Sequence, residues 1–290
     1  NFSGIIIKKA NITADNIKIK ELMAENFVAN ASLNNKMQLD VSDFKFNVAQ
    51  GNIYGAVQYN LLNHLAKISV NVDNANAQIV AESLTDLKGQ IYGNVAGSLN
   101  VFCNATSQDA CIQTLNGKGN FEVKNGKMPK LGSLEYLLKA GNLVKSGITG
   151  LSIKGITDVI TPYKTGEFES IKGSVAIKDG IVTPISIYSS GKALNIFVRG
   201  SYNLNNQIAD MSIFGVLTNN FNSIVGKIAG ASLNTLFNTI PWINISDTPS
   251  VITDDIKQIP NSDNAIRMFN AVIYGDINGN DYVKSFKWLK

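Results

Sequence analysis

His64 is the single histidine of the chain, so a Ser-His-Asp relay, a Cys-His pair or a multi-histidine metal site would each depend on this one residue. Its setting, Asn63-His64-Leu65, has the composition of a turn, and His64 reads as an exposed turn residue. The carboxylates give no better start. Glu167 and Glu169 share a strand face, and Asp254 and Asp255 are adjacent, but neither pairing forms a recognisable acid-base signature, which leaves solvated charge. The segment from Asp276 to Asp281 imitates the opening of a calcium loop. Its sixth position is Asp281 where glycine is needed and its twelfth is Lys287 where a bidentate glutamate is needed, so a hairpin turn is expected. No catalytic residue, metal or cofactor is assigned, and the chain reads as non-enzymatic.

Cys103 and Cys111 bracket a polar segment, and their spacing suits neither a redox Cys-x-x-Cys pair nor a zinc knuckle. Two cysteines eight apart can close a loop, which predicts a structural disulfide and an oxidising compartment. The alternative is a pair of buried, reduced small hydrophobes. Glycosylation tripeptides begin at Asn1, Asn11, Asn30, Asn104 and Asn244, but an asparagine-rich chain generates such matches freely, and no function is given to them. Gly226 and Gly230 put small residues on one helix face, read as close approach to a sheet.

The elements that must carry these residues follow from composition and period. Of 290 residues 44% are apolar and 17% charged, against a usual charged share of about 25%. Asparagine carries the polar surface, and Arg199 and Arg267 are the only arginines. Such a chain has the apolar content to fold, unlike a charged disordered one. The 26 basic and 22 acidic residues are interspersed, for a net charge of +4, and they form no basic stripe of the kind that phosphate neutralisation requires. Nucleic acid is not an expected partner. No apolar run reaches the length of a membrane span; the longest candidate, 213–233, is broken by Asn219, Asn220, Asn222 and Lys227. Starting at Asn1 without a leader pattern, the chain reads as a mature or excised segment with a part missing upstream.

Period-two alternation runs through most of the sequence, the mark of strands with one apolar face. Ile68, Val70 and Val72 oppose Lys67, Ser69 and Asn71. Ile91, Val95, Leu99 and Val101 share parity, as do Phe121 with Val123, and Ile196 with Val198, Tyr202 and Leu204. Parity slips once, between Val41 and Phe44, predicting a bulge at Ser42-Asp43. Asn34-Asn35, Asn125-Gly126, Asp179-Gly180, Asn205-Asn206 and Asn278-Gly279 supply turns that tolerate positive φ. Together these predict a meander of antiparallel strands. Helical spacing appears near 131–146 and 219–240, predicting two amphipathic helices, with shorter helical turns at 75–84 and 107–114.

One internal repeat stands out. Residues 119–128 match 173–182 position for position as Gly, any, apolar, any, apolar, Lys, Asn or Asp, Gly, any, apolar, and each copy predicts strand, primed turn, strand. With Leu115 and Gly117 before the first copy, Phe168 and Ile171 before the second, and Gly200-Ser-Tyr-Asn-Leu204 beyond, this series resembles the C-terminal region of the AsmA-like family of bacterial envelope proteins. That family is related to TamB and to other repeating β-groove lipid-transfer proteins. The likeness is best from Leu87 to Leu217. It divides the chain into an N-terminal β-meander continuing the groove, 1–86, and an AsmA-like region, 87–290.

The resemblance implies an elongated, curved antiparallel sheet whose concave apolar face carries lipid acyl chains across the periplasm, with the two amphipathic helices on or beside it. On that expectation the lipid-binding face consists of Ile91, Val95, Leu99, Phe121, Val123, Val175, Ile177, Ile196, Val198 and Tyr202. Phospholipid or another acyl lipid is the implied ligand. The inner membrane, through a missing N-terminal anchor, and other envelope proteins are the implied partners. The alternative is a structural or adhesive envelope β-domain with a closed core and no ligand, which the alternation taken alone favours.

Overall fold

The computed structural model describes residues 5–19, 21–84, 89, 91–127, 167–191, 194–218, 259, 265–276 and 283–289. The alternating segments form one antiparallel sheet of thirteen strands, arranged in sequence order. They are β1 (Ile7–Ile19), β2 (Leu22–Leu33), β3 (Gln38–Val48), β4 (Gly51–Asn60), β5 (Leu65–Asn76), β6 (Tyr92–Asn104), β7 (Asn116–Lys127), β8 (Glu167–Lys178), β9 (Ile181–Ser190), β10 (Leu194–Asn203), β11 (Ile208–Thr218), β12 (Ala265–Asp276) and β13 (Val283–Leu289). The sheet is not closed, since β1 and β13 each pair on one side only. Hydrogen bonding between β5 and β6 carries it without a break from the N-terminal stretch into the region of family resemblance.

Two short helices interrupt the meander, α1 (Ala77–Leu84) between β5 and β6 and α2 (Gln108–Gln113) between β6 and β7. Both start on side-chain caps, which satisfy backbone N–H groups left free in a first helical turn. Asn76 accepts from the N–H groups of Gln78 and Ile79, and Ser107 accepts from that of Ala110. No helix among the described residues is long and apolar enough to cross a membrane. The helices expected near 131–146 and 219–240 lie outside the described residues, as do Gly226 with Gly230, Asp254 with Asp255, and the Asn278-Gly279 turn.

The slip at Ser42-Asp43 is a register shift between Val41 and Phe44, with Asp43 at φ 54°. It keeps Leu39, Val41, Phe44, Phe46 and Val48 on one face, opposite Tyr59, Val57, Gly55, Ile53 and Gly51 of β4. Asp179 and Gly180, at φ 50° and 73°, make the two-residue turn that a primed hairpin needs. The first copy of the repeat behaves differently. Asn125 has φ 50°, but β7 runs on through Gly126 to Lys127 and pairs with β8 as far as Glu167. The expected hairpin at Asn125-Gly126 is therefore a kink inside a strand. One left-handed residue reverses the facing of the chain without folding it back, and Gly126 consequently meets Phe168 on the side occupied by Val123 and Ile171.

Because consecutive strands alternate in direction, their connections alternate between the two ends of the sheet. At one end the turns are bonded to one another through the backbone: Leu61 N–H to Met37 C=O, Ala105 N–H to His64 C=O, Gly180 N–H to Leu115 C=O and Leu204 N–H to Gly180 C=O. The connections carrying α1, residues 128–166 and residues 219–264 all leave from the other end.

Candidate functional site

Register partners in an antiparallel sheet share a face, so strand pairing decides which apolar residues line up. Val70, Leu99, Gly119, Val175 and Ile185 stand in one row across β5 to β9. A second row runs Val72, Gly97, Phe121, Gly173, Ile187 and Val198. A third contains Val95, Val123, Ile171, Ser189 and Ile196, and a fourth Val101, Gly117, Ile177, Val182 and Tyr202. Nine of the ten residues read from the sequence thus occupy one face. Ile91 precedes β6 and packs at the edge of the same surface, against the cluster of Ala77, Val123, Phe168 and Ile171.

Burial along this face is uneven. Val123 and Ile196 are each 3% exposed whereas Leu99 is 39% exposed, and Val95, Phe121, Val175, Ile177, Val198 and Tyr202 are half-buried. Burial raises the pKa of the Tyr202 phenol above its ordinary value, with the charge of Asp276 adding to the shift. A row of half-buried aliphatic side chains can hold apolar matter and do no bond chemistry. Its only selectivity is shape.

Glycines set that shape. Gly173 lies directly across from Phe121, Gly126 from Phe168, Gly215 from Phe269 and Gly55 from Phe44. In the first three pairs a Cβ on the glycine would overlap the phenylalanine ring, so each ring fills the place that its partner's side chain would take. This arrangement covers exposed strand backbone with an aromatic face, compensating for the weak strand propensity of glycine. The sequence reading included Phe121 but not its glycine partners. The signal was present as glycine on the apolar parity across from an aromatic residue.

Sequence alternation also missed residues that the register adds to this face, among them Ile185, Ile187, Ile213 and Ala271. It missed as well a cluster on the opposite face, where Phe197 is the register partner of both Tyr188 and Phe214. Ring centroids there are 4.7 Å and 6.2 Å apart. Val216 and Ile259 complete the cluster, and the Arg199 guanidinium stands 5.5 Å above the Phe214 ring. β10 is buried on both parities from Leu194 to Phe197, the buried Asn195 included, as in a strand covered on both sides.

Cys103 and Cys111 form a disulfide, which ties the end of β6 to α2. Thr114 adds two more ties, accepting from the Asn104 N–H and donating from its hydroxyl to the Ala110 carbonyl. His64 is half-buried rather than exposed, and its Nδ1 lies 2.7 Å from the Tyr59 hydroxyl. Glu167 and Glu169 are exposed. No group of metal-ligating side chains occurs among the described residues.

Comparison of the chain with protein-family models, with curated proteins and with solved structures found no match in any of the three.

Proposed function

We propose that this chain is a non-enzymatic, lipid-binding segment of a periplasmic, AsmA-like envelope protein, holding acyl chains against its apolar sheet face and supporting phospholipid transport and outer-membrane assembly. The observation that carries the reading is the set of four parallel apolar rows, which together span β5 to β10 and are half-buried along most of their length. Apolar surface of this extent usually marks a binding site. At about 0.8 kcal/mol per methylene, an acyl chain of about fourteen methylenes would gain roughly 11 kcal/mol before entropic costs. Rows of similar residues make successive positions nearly equal in energy, which favours sliding along the sheet over release into water.

Curvature, the other element of this reading, is supported by α1. Ile79 packs with the cluster of Leu22, Ala24 and Val48 on β2 and β3, while Ala77 packs with Val123, Phe168 and Ile171 on β7 and β8. On a flat sheet β3 and β7 would be about 19 Å apart. The two helical residues that reach them are separated by about 3 Å along the helix axis. A sheet bending around α1 reconciles these distances.

Photo-crosslinkers at Val175 and Val198 are expected to capture lipid in cells, while those at Ser174 and Arg199, of opposite parity, are not. The near-complete burial of Val123 and Ile196 favours a second reading, a structural β-domain with a closed face. Protein that is lipid-free when extracted from cells, with no capture from either parity, would select it.

A further inference from the structure

The polar face of the sheet has an ordered row of its own. Asn71, Ser98, Asn120, Ser174 and Ser186 are successive register partners across β5 to β9. Along this row lies a cleft of about 380 Å³ lined by Ser98, Asn100, Lys118, Asn120, Ser174 and Pro184 together with the non-polar Gly119, Val175 and Ala176, within the size range of small-molecule sites. Five of its nine lining residues, Ser98, Asn100, Lys118, Asn120 and Ser174, carry hydrogen-bonding or charged side chains, which sets its chemistry apart from that of the apolar rows.

Some of their capacity is already used. Asn120 donates to the Ser98 hydroxyl at 2.8 Å, and Ser69 donates to the Asn100 carbonyl oxygen at 2.6 Å. Those bonds leave the Ser98 hydroxyl hydrogen, the Asn100 amide hydrogens, the Ser174 hydroxyl and the Lys118 ammonium as donors, with the Asn120 carbonyl oxygen as an acceptor. Among the described residues Lys118 has no carboxylate within ion-pair distance. The cleft is thus rich in donors, singly positive, and spread over four strands.

We propose that this cleft binds an oligosaccharide carrying an anionic group, with Lys118 on the anion, Ser98, Asn100, Asn120 and Ser174 on ring hydroxyls, and Pro184 against the apolar face of a sugar ring. A free anion would use Lys118 alone and leave the neutral groups idle. Its polar side chains stand on the parity opposite the apolar rows, with Gly119 and Val175 common to both, and the proposal does not depend on lipid binding.

Backbone-amide spectra of the full chain, titrated separately with tetragalacturonate, maltotetraose and inorganic phosphate, test the proposal. Tetragalacturonate is expected to shift resonances confined to β6 through β9. Lys118→Gln is expected to weaken that binding about tenfold, the loss of one charge-assisted hydrogen bond. Ser174→Val, which suits a strand, is expected to weaken it while leaving distant resonances in place. The proposal is overturned if tetragalacturonate leaves the cleft unshifted, if maltotetraose or phosphate produces the same shifts at the same concentration, or if Lys118→Gln binds as the parent does.

Discussion

Phe121 covers Gly173: the two residues are register partners on β7 and β8, and the ring occupies the space into which a side chain at 173 would project. Gly173→Ala must push the ring aside, so it is expected to destabilise the fold by about 1–3 kcal/mol, the usual cost of overpacking. Ser174→Ala, one residue on and of the opposite parity, is expected to stay within about 0.5 kcal/mol. Denaturant midpoints of the two variants check this, and equal losses would mean that the ring does not lie where it is placed.

Loss of the Cys103–Cys111 bridge removes a constraint on a short loop. Substituting both cysteines by serine is expected to cost about 2–3 kcal/mol in the chain-entropy account without abolishing the fold, because Thr114 still holds α2 to the end of β6. Thiol labelling of the unreduced, unfolded parent should find no reactive group. Chemical denaturation of the double variant gives the cost.

Glu122 provides a pH test. Partial desolvation raises its carboxyl, but hydrogen bonds and charge from Lys124 and Lys172, each 3.3 Å away, outweigh that effect and hold it below its ordinary value. A depressed folded value stabilises the protein above the unfolded carboxylate range, and the contribution is lost as pH falls through the folded value. Glu122→Gln is therefore expected to differ from the parent at neutral pH and to converge with it in acid, with the neutral-pH difference shrinking as salt is added. Thermal unfolding at both pH values and two ionic strengths measures it; a difference that widens in acid would reverse the assigned sign.

A charge in the apolar rows separates the two functional readings. Val175→Asp and Val198→Asp place an unsolvated carboxylate among aliphatic side chains. Lipid recovered with either protein is expected to fall several-fold, while Lys178→Asp, exposed and of opposite parity, changes little. Lipid extraction of folded variants gives the result. Unchanged lipid content in both valine variants would remove these rows from the binding surface.

Period-two patterning made most of the sheet legible before any coordinates, because parity is a local property that every side chain reports. The slip at Ser42-Asp43 was visible for the same reason: two apolar triplets of opposite parity require a bulge between them. Asn125-Gly126 was not decidable locally. The dipeptide suits a primed turn or a kink, and the outcome depends on pairing with Phe168, more than forty positions away. Phe197 was lost for another reason, since it stands between Asn195 and Arg199 on the parity read as polar, where alternation assigns a lone aromatic residue to the outer face. The cleft beside Lys118 had no sequence signature, as it is made by groups brought together only through the register.

The backbone bonds that join the turns at one end of the sheet make that end a spine, and the opposite end, from which the three longest connections leave, a fringe. Strand register is set by the ladders of hydrogen bonds between neighbouring strands, so length added to or removed from those three connections need not move any residue along its row. Descendants of this chain are free to lengthen or replace those connections, and thereby change what the protein meets, at little cost to the sheet. A circular permutation or an inserted reporter should be placed by the same rule: accepted between β7 and β8, and disruptive between β8 and β9, where Gly180 is bonded to neighbouring segments on both sides.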